Sequence, residues 1–214
     1  MTREVEVDPE RIEAWVTGFD TRHGAFERTT VGPRLLLSAA DGAVASLEPF
    51  APQADPEGSL HAWAIPPSPL ALVLLRRGGY AVGLAHRAEL THHRCGTRYV
   101  QGRTAAGGWS QQRFARRRGN QAEALVGAVV EHVIRLGLPE AAAALVVGGD
   151  RGLVRSTLAD PRLGRLTALP RRELFDLPNP RLEVLQRALR RGRAVRVGVD
   201  DPAGEVARRG LAGP

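Results

Sequence analysis

The sequence contains no lysine, and it has one cysteine among its 214 residues. Without lysine, Schiff-base catalysis, a lysine general base and the lysine of a P-loop are excluded. The single Cys95 excludes an internal disulfide framework and is typical of a reducing cytosol. All 30 basic residues are arginines, whose guanidinium groups suit bidentate contacts to phosphate.

Long apolar runs are also missing from the sequence. No segment approaches the roughly 18 uninterrupted apolar residues that a membrane helix needs. The first eight residues are acidic and alternating, unlike a signal peptide. A composition of 43% hydrophobic and 25% charged residues is that of a globular protein with one large domain or two small ones. We therefore expect a cytoplasmic protein that does not contact membranes.

Acidic residues are absent from one segment of the chain, Leu90 to Ala122. Seven arginines lie in this segment, which we call the basic segment, and their number equals the net charge of +7. A solvated face usually mixes both signs of charge. The segment therefore indicates a surface that binds a polyanion, with a plain solvated basic face as the alternative. The seven residues are Arg94, Arg98, Arg103, Arg113, Arg116, Arg117 and Arg118.

The chain divides at a proline-rich boundary, Pro66 to Pro69. The pattern of residues 1–65 predicts a small α+β unit, with a helix from Pro9 to Thr21 followed by short strands. Residues 66–202 predict a larger α/β domain, and residues 203–214 a C-terminal tail. In the larger domain, we expect partly parallel pairing because strands alternate with helices. Its predicted strands are 70–75, 80–85, 94–101, 142–147, one near Leu166, and 195–199.

The long predicted helix, residues 110–136, follows a glycine-rich turn. Gly107 and Gly108 permit a close approach of the backbone to a ligand. The helix has an apolar stripe in its later turns and a basic face in its first turns. The stripe comprises Ala122, Leu125, Val126, Val129, Val130, Val133 and Ile134. Tyr99 and Trp109 are candidates to stack on unpaired bases, although Trp109 is equally suited to plug the space beneath the loop.

The sequence offers no catalytic nucleophile or metal site of its own. His86, His92, His93 and Cys95 lack zinc-ligand spacing, and we expect no metal and no cofactor. The carboxylates are scattered, which argues against a two-metal nuclease. At the loop stand Gln111 and Gln112, which do not titrate but can orient water and stabilise an oxyanion.

At these residues the chain resembles the Vms-like release factors of the actinobacterial type, a family of peptidyl-tRNA hydrolases. The shared pattern is a Gly-x-x-Gln loop, Gly108-Trp109-Ser110-Gln111, opening a long basic helix. The resemblance extends to Arg98-Tyr99-Val100 and Arg103, to the hairpin at Gly79 to Val82, and to the strand end at Val146 to Gly149. The resemblance covers residues 70–199 and implies a ribonuclease-H-like α/β fold, similar to the middle domain of eukaryotic and archaeal class-one release factors.

The resemblance implies a release factor that acts on peptidyl-tRNA held on the large ribosomal subunit. Gln111 would be placed at the scissile bond, with Gln112 as the less favoured amide. The arginines and Tyr99 would bind RNA. Either ester hydrolysis or cleavage near the tRNA 3′ end would release the chain. A non-catalytic ribosome- or RNA-binding factor explains the same charge and glycines, and self-repulsion of the basic surface favours a monomer.

Overall fold

The computed structural model describes residues 3–97 and 109–201, with the backbone alone for 109–118. The chain forms two compact units. One contains residues up to Pro67 together with those from Arg193 onward, and the other is Ser68–Gly192. The second unit is therefore inserted within the sequence of the first.

The first unit is built on a five-stranded antiparallel sheet with strand order β1-β10-β4-β3-β2. Helices α1 and α2 and these strands contribute to one apolar core. Side chains in β3, β4 and β10 alternate between this core and solvent, as a sheet with one covered face requires. The elements are β1 (Arg3–Val7), a 3-10 turn (Pro9–Arg11), α1 (Ile12–His23), β2 (Phe26–Val31), β3 (Arg34–Ala39), β4 (Val44–Glu48), α2 (Leu60–Ala64) and β10 (Val195–Asp200).

The second unit has a mixed five-stranded sheet with strand order β7-β6-β5-β8-β9. Strand β6 is antiparallel to both of its neighbours, whereas β5, β8 and β9 are parallel. The elements are β5 (Leu70–Arg76), β6 (Gly79–His86), β7 (Glu89–Gly96), α3 (Trp109–Arg135), α4 (Leu138–Ala141), β8 (Ala144–Gly149), α5 (Arg151–Leu158), a 3-10 turn (Pro161–Leu163), α6 (Gly164–Thr167), β9 (Arg171–Leu174) and α7 (Leu182–Arg193).

Helices cover both faces of the second sheet. On one face, the core joins the strands to α3, α5 and α6, and the predicted apolar stripe of α3 is confirmed. On the other face, Leu185 of α7 lies against Gly83 of β6, and Gly192 lies against Val146 of β8. Because β5 and β8 are covered on both faces, they are continuous apolar runs.

The predicted hairpin of β5 and β6 is confirmed, and so is the helix after β8. The prediction of a strand near Leu166 is wrong, because Leu166 is a buried residue of α6 and the strand follows at Arg171–Leu174. A single apolar residue does not distinguish a strand from a short helix. The third strand of the second unit was predicted at residues 94–101. It is β7, Glu89–Gly96, and so begins earlier in the chain.

The placement of the last strand also differs from the predicted domain of residues 66–202. Strand β10 forms, but it pairs with β1 and β4 in the sheet of the first unit. Its alternation of buried and exposed residues suits that half-covered antiparallel sheet. The first unit is therefore not limited to residues 1–65, since it includes the last described strand.

Candidate functional site

Strand β7 forms one edge of the second sheet and carries the first arginine of the basic segment. Arg94 pairs in register with Val82 of β6, on the sheet face that packs against α3. Its side chain is exposed. The structure therefore presents this predicted RNA-binding residue to solvent, beside the covered part of the sheet.

The end of the β6–β7 hairpin, from which the chain continues into residues 98–108, is closely packed. A Cβ atom on Gly79 would lie 2.7 Å from the carbonyl oxygen of Gly96. A Cβ atom on Gly96 would lie 2.5 Å from Cε1 of Tyr80. Both glycines are thus required by the close approach of neighbouring atoms, and they fix the position at which the basic segment leaves the sheet.

Helix α3 begins at Trp109, so the backbone of Trp109, Ser110, Gln111 and Gln112 forms its first turn. The helix predicted at residues 110–136 therefore begins one residue earlier than expected, at Trp109. The free N–H groups of a first helical turn and the helix dipole favour anions at such a position. Among the residues of α3 whose side chains the structure describes, 119–135, the first apolar residue that packs against the core is Ala122, about 20 Å along the axis from Trp109.

Most of the predicted site residues lie outside the described side chains. Gly107, Gly108, Arg98, Tyr99 and Arg103 fall within residues 98–108, which are outside the described residues. For residues 109–118, the description is limited to the helical backbone. This second group comprises Trp109, Ser110, Gln111, Gln112, Arg113, Arg116, Arg117 and Arg118. Arg94 is the predicted site residue whose side chain the structure places.

His132 of α3 is a polar residue at this site that sequence reasoning missed. Its ring stacks on that of Tyr80, with centroids 5.2 Å apart and an interplanar angle of 20°. Burial lowers the pKa of His132, and the positive charges of Arg94 and Arg135 lower it further, while Glu131 acts in the opposite direction. The signal in the sequence was a histidine between the apolar residues of the α3 stripe.

The ends of the parallel strands β5 and β8 hold a second polar group. Gly149 adopts a φ of +99°, and Asp150 then caps α5 by accepting hydrogen bonds from the backbone N–H groups of Gly152 and Leu153 at 2.9 and 3.1 Å. The guanidinium of Arg77 lies 3.9 Å from the Asp150 carboxylate. Because these contacts occupy the carboxylate, the arrangement fits a structural role.

The histidines and the cysteine of β7 do not point in one direction. The register places His92 on the α3 face, whereas His93 and Cys95 lie on the opposite face. Burial raises the pKa of the Cys95 thiol. Within residues 3–97 and 109–201, no group of three or more His, Cys, Asp or Glu side chains is arranged to hold a metal ion. In the same ranges, no helix combines the length and apolarity needed to span a bilayer.

The chain was compared with known proteins and structures. A family model described as Actinobacteria/chloroflexi VLRF1 release factor matches residues 68–198, which is more than half of the chain. Among solved structures, the chain is similar to one titled Vms1 mitochondrial localization core, with 10% sequence identity and a TM-score of 0.44. That alignment covers 87% of this chain and 80% of the other. No curated protein matches the sequence.

Proposed function

Because the chain belongs to the Actinobacteria/chloroflexi VLRF1 release factors, we propose that it releases nascent chains from peptidyl-tRNA on the large ribosomal subunit. The observation that carries this proposal is the position of Gln111 within the matched region. It stands in the first turn of α3, about 17 Å along the helix axis from Ala122, a residue that packs against the core of the second unit. A residue placed there is suited to reach a bond held in a separate particle.

The proposed chemistry uses an amide rather than a titrating base. The carbonyl oxygen of Gln111 accepts a hydrogen bond from the attacking water, or its NH₂ group donates one to the developing oxyanion. The glutamine takes up no proton, so the peptidyl ester must be activated and positioned by the ribosome. Gly107 and Gly108 let the backbone approach the ester closely.

The arginines of the basic segment would hold RNA phosphates, and Tyr99 and Trp109 would stack on bases. The exposed side chain of Arg94 supports this assignment. We further propose that the protein acts as a monomer in the cytoplasm, where stalled ribosomes are found.

We also propose that the second unit is ribonuclease-H-like, as the resemblance to release-factor middle domains implies. The supporting features are the mixed sheet with β6 antiparallel to its neighbours and helices on both faces. The carboxylate that follows β8, Asp150, is occupied in capping α5. This occupancy favours release through Gln111 over a carboxylate-dependent nuclease reaction.

The test is release of a labelled nascent chain from peptidyl-tRNA on isolated large subunits. We expect release by the wild type and at least a hundredfold slower release by Gln111→Ala, with binding to the subunit retained. Gln112→Ala is the matched control and should release at nearly the wild-type rate. Analysis of the tRNA 3′ end would distinguish ester hydrolysis from tRNA cleavage.

Binding of all three proteins without release would contradict the hydrolase proposal. It would favour the alternative, a non-catalytic ribosome-binding factor. If Gln111→Ala instead abolished binding, the first turn of α3 would be an anchor rather than a catalytic element.

A further inference from the structure

On the sheet face that packs against α3, the edge strand β7 carries a strip of exposed residues. Helix α3 packs over β6, and the edge strand β7 lies beyond it. His92 and Arg94 are on the same face of β7 as the core residues Val82 and Leu84 of β6, yet both are exposed. This strip and the adjacent side of α3 therefore form one surface that carries basic residues.

The side of α3 next to this strip carries His132. The stacking of His132 on Tyr80 fixes this side of the helix against the start of β6. Arg94 lies two residues before Gly96, the register partner of Tyr80, and is on the same face of the sheet, so its backbone lies next to the Tyr80–His132 stack. Arg135 is three residues beyond His132 and therefore on the same side of the helix, and it is exposed.

The arginines of this surface form no ion pairs with acidic side chains among the described residues. Neither Arg94 nor Arg135 forms an ion pair with any residue in the part of the chain that the structure describes. Glu131, the acidic group that acts on the pKa of His132, already accepts a hydrogen bond from Arg162 at 2.7 Å. The charges of Arg94 and Arg135 both act on the imidazole of His132 and lower its pKa.

We propose that Arg94, His132 and Arg135 form a phosphate-binding site for RNA, separate from residues 98–118. Each guanidinium donates hydrogen bonds to phosphate oxygens, and the half-buried imidazole adds a third donor through its ring N–H group. The inference rests on the proposed function for the kind of RNA, which is tRNA or ribosomal RNA.

The position of the site gives it a distinct role. His132 lies about 30 Å along α3 from Gln111. A phosphate held here would thus fix the orientation of α3 relative to an RNA that meets its first turn. Contacts of this kind supply register and salt-dependent affinity rather than sequence choice.

The experiment compares Arg94→Gln/Arg135→Gln with a control of equal charge, Arg155→Gln/Arg165→Gln. Arg155 and Arg165 are exposed residues of α5 and α6. The full-length proteins are titrated with deacylated tRNA and, separately, with isolated large subunits between about 50 and 200 mM salt. We expect Arg94→Gln/Arg135→Gln to bind at least fivefold more weakly than the wild type, and the dependence of its affinity on salt to be smaller by about one to two released ions. The control should match the wild type in both respects.

Each outcome has a definite meaning. Loss confined to the tRNA titration identifies tRNA as the ligand, and loss confined to the subunit identifies ribosomal RNA. Unchanged affinity and slope with both probes, or an equal loss in the control, would overturn the site. Because binding is measured without release, a protein that binds but does not hydrolyse would contradict the proposed function and leave this site intact. Restoration of the slope by Arg94→Lys/Arg135→Lys would show that charge at these two positions is what matters.

Discussion

The phenol ring of Tyr80 stacks on the imidazole of His132, with ring centroids 5.2 Å apart. The same phenol covers Gly96, the last residue of β7. Tyr80 therefore joins the point where the basic segment leaves the sheet to the helix in which that segment ends. One buried aromatic residue therefore contacts both the last residue of β7 and helix α3.

The contact between Tyr80 and Gly96 predicts a strong coupling between substitutions at the two positions. Gly96→Ala should lower the free energy of unfolding by about 1–3 kcal/mol, because the new methyl group would overlap the Tyr80 ring. In a Tyr80→Ala background the same change should cost little, since all three nearest atoms belong to Tyr80. Urea unfolding of the four proteins measures this cycle. Simple additivity of the two losses would show that the ring is not the obstacle.

Arg94 is predicted to control the titration of His132. Burial is the main cause that lowers the pKa of His132, and Arg94 and Arg135 add to it. Arg94→Gln should therefore raise the pKa of His132 toward its ordinary value, as measured by NMR of the imidazole protons. Arg155→Gln is the control and should leave the pKa unchanged. An unaltered pKa in Arg94→Gln would place Arg94 too far from the imidazole to take part in a shared site.

The same pKa shift has a consequence for stability. A histidine whose folded-state pKa is lowered stabilises the fold fully above the unfolded-state pKa of about 6.5. This stabilisation is lost as the pH falls from there through the lower folded-state pKa. Arg94→Gln should reduce the destabilisation that His132 causes in acid. In that variant the folded-state pKa of His132 lies closer to its unfolded-state pKa. The thermal midpoints of the two proteins at about pH 7.5 and pH 5.5 provide the comparison.

Two glycines of the second unit are predicted to respond in opposite directions to alanine. Gly149 has a φ of +99°, and its Cβ would overlap the carbonyl oxygen of Leu75, so Gly149→Ala should cost about 3 kcal/mol. Gly127 is an exposed residue in the middle of α3, and a Cβ atom added there would meet no neighbouring atom within 4 Å. Gly127→Ala should therefore stabilise the protein by about 1 kcal/mol. Chemical denaturation measures both changes, and a stable Gly149→Ala protein would contradict the described turn.

Sequence reasoning succeeded where a pattern repeats over many residues. The apolar stripe from Ala122 to Ile134 predicted the buried side of α3, and the continuous apolar run of Leu70–Leu75 predicted the first strand of a hairpin. It failed at Leu166, where one apolar residue could not distinguish a helix from a strand. Short elements carry too few periods for such a distinction.

The pairing of β10 could not be predicted from its position in the chain. Its neighbours in sequence belong to the second unit, and its partners β1 and β4 lie more than a hundred residues earlier. A clue was present in the alternation of Val195, Arg196 and Val197, which matches that of β1. His132 was missed for a similar reason, because its importance comes from Tyr80 and Arg94, both distant in sequence.

The insertion of the second unit between β4 and β10 determines an order of events during synthesis on the ribosome. Strand β1 pairs with β10 in the described sheet, and β10 also supplies the second partner of β4. When residues 3–67 emerge, that sheet still lacks the strand that joins β1 to β4, while Ser68–Gly192 can complete its own core first. The earliest-made part of the protein is therefore among the last to reach its final structure.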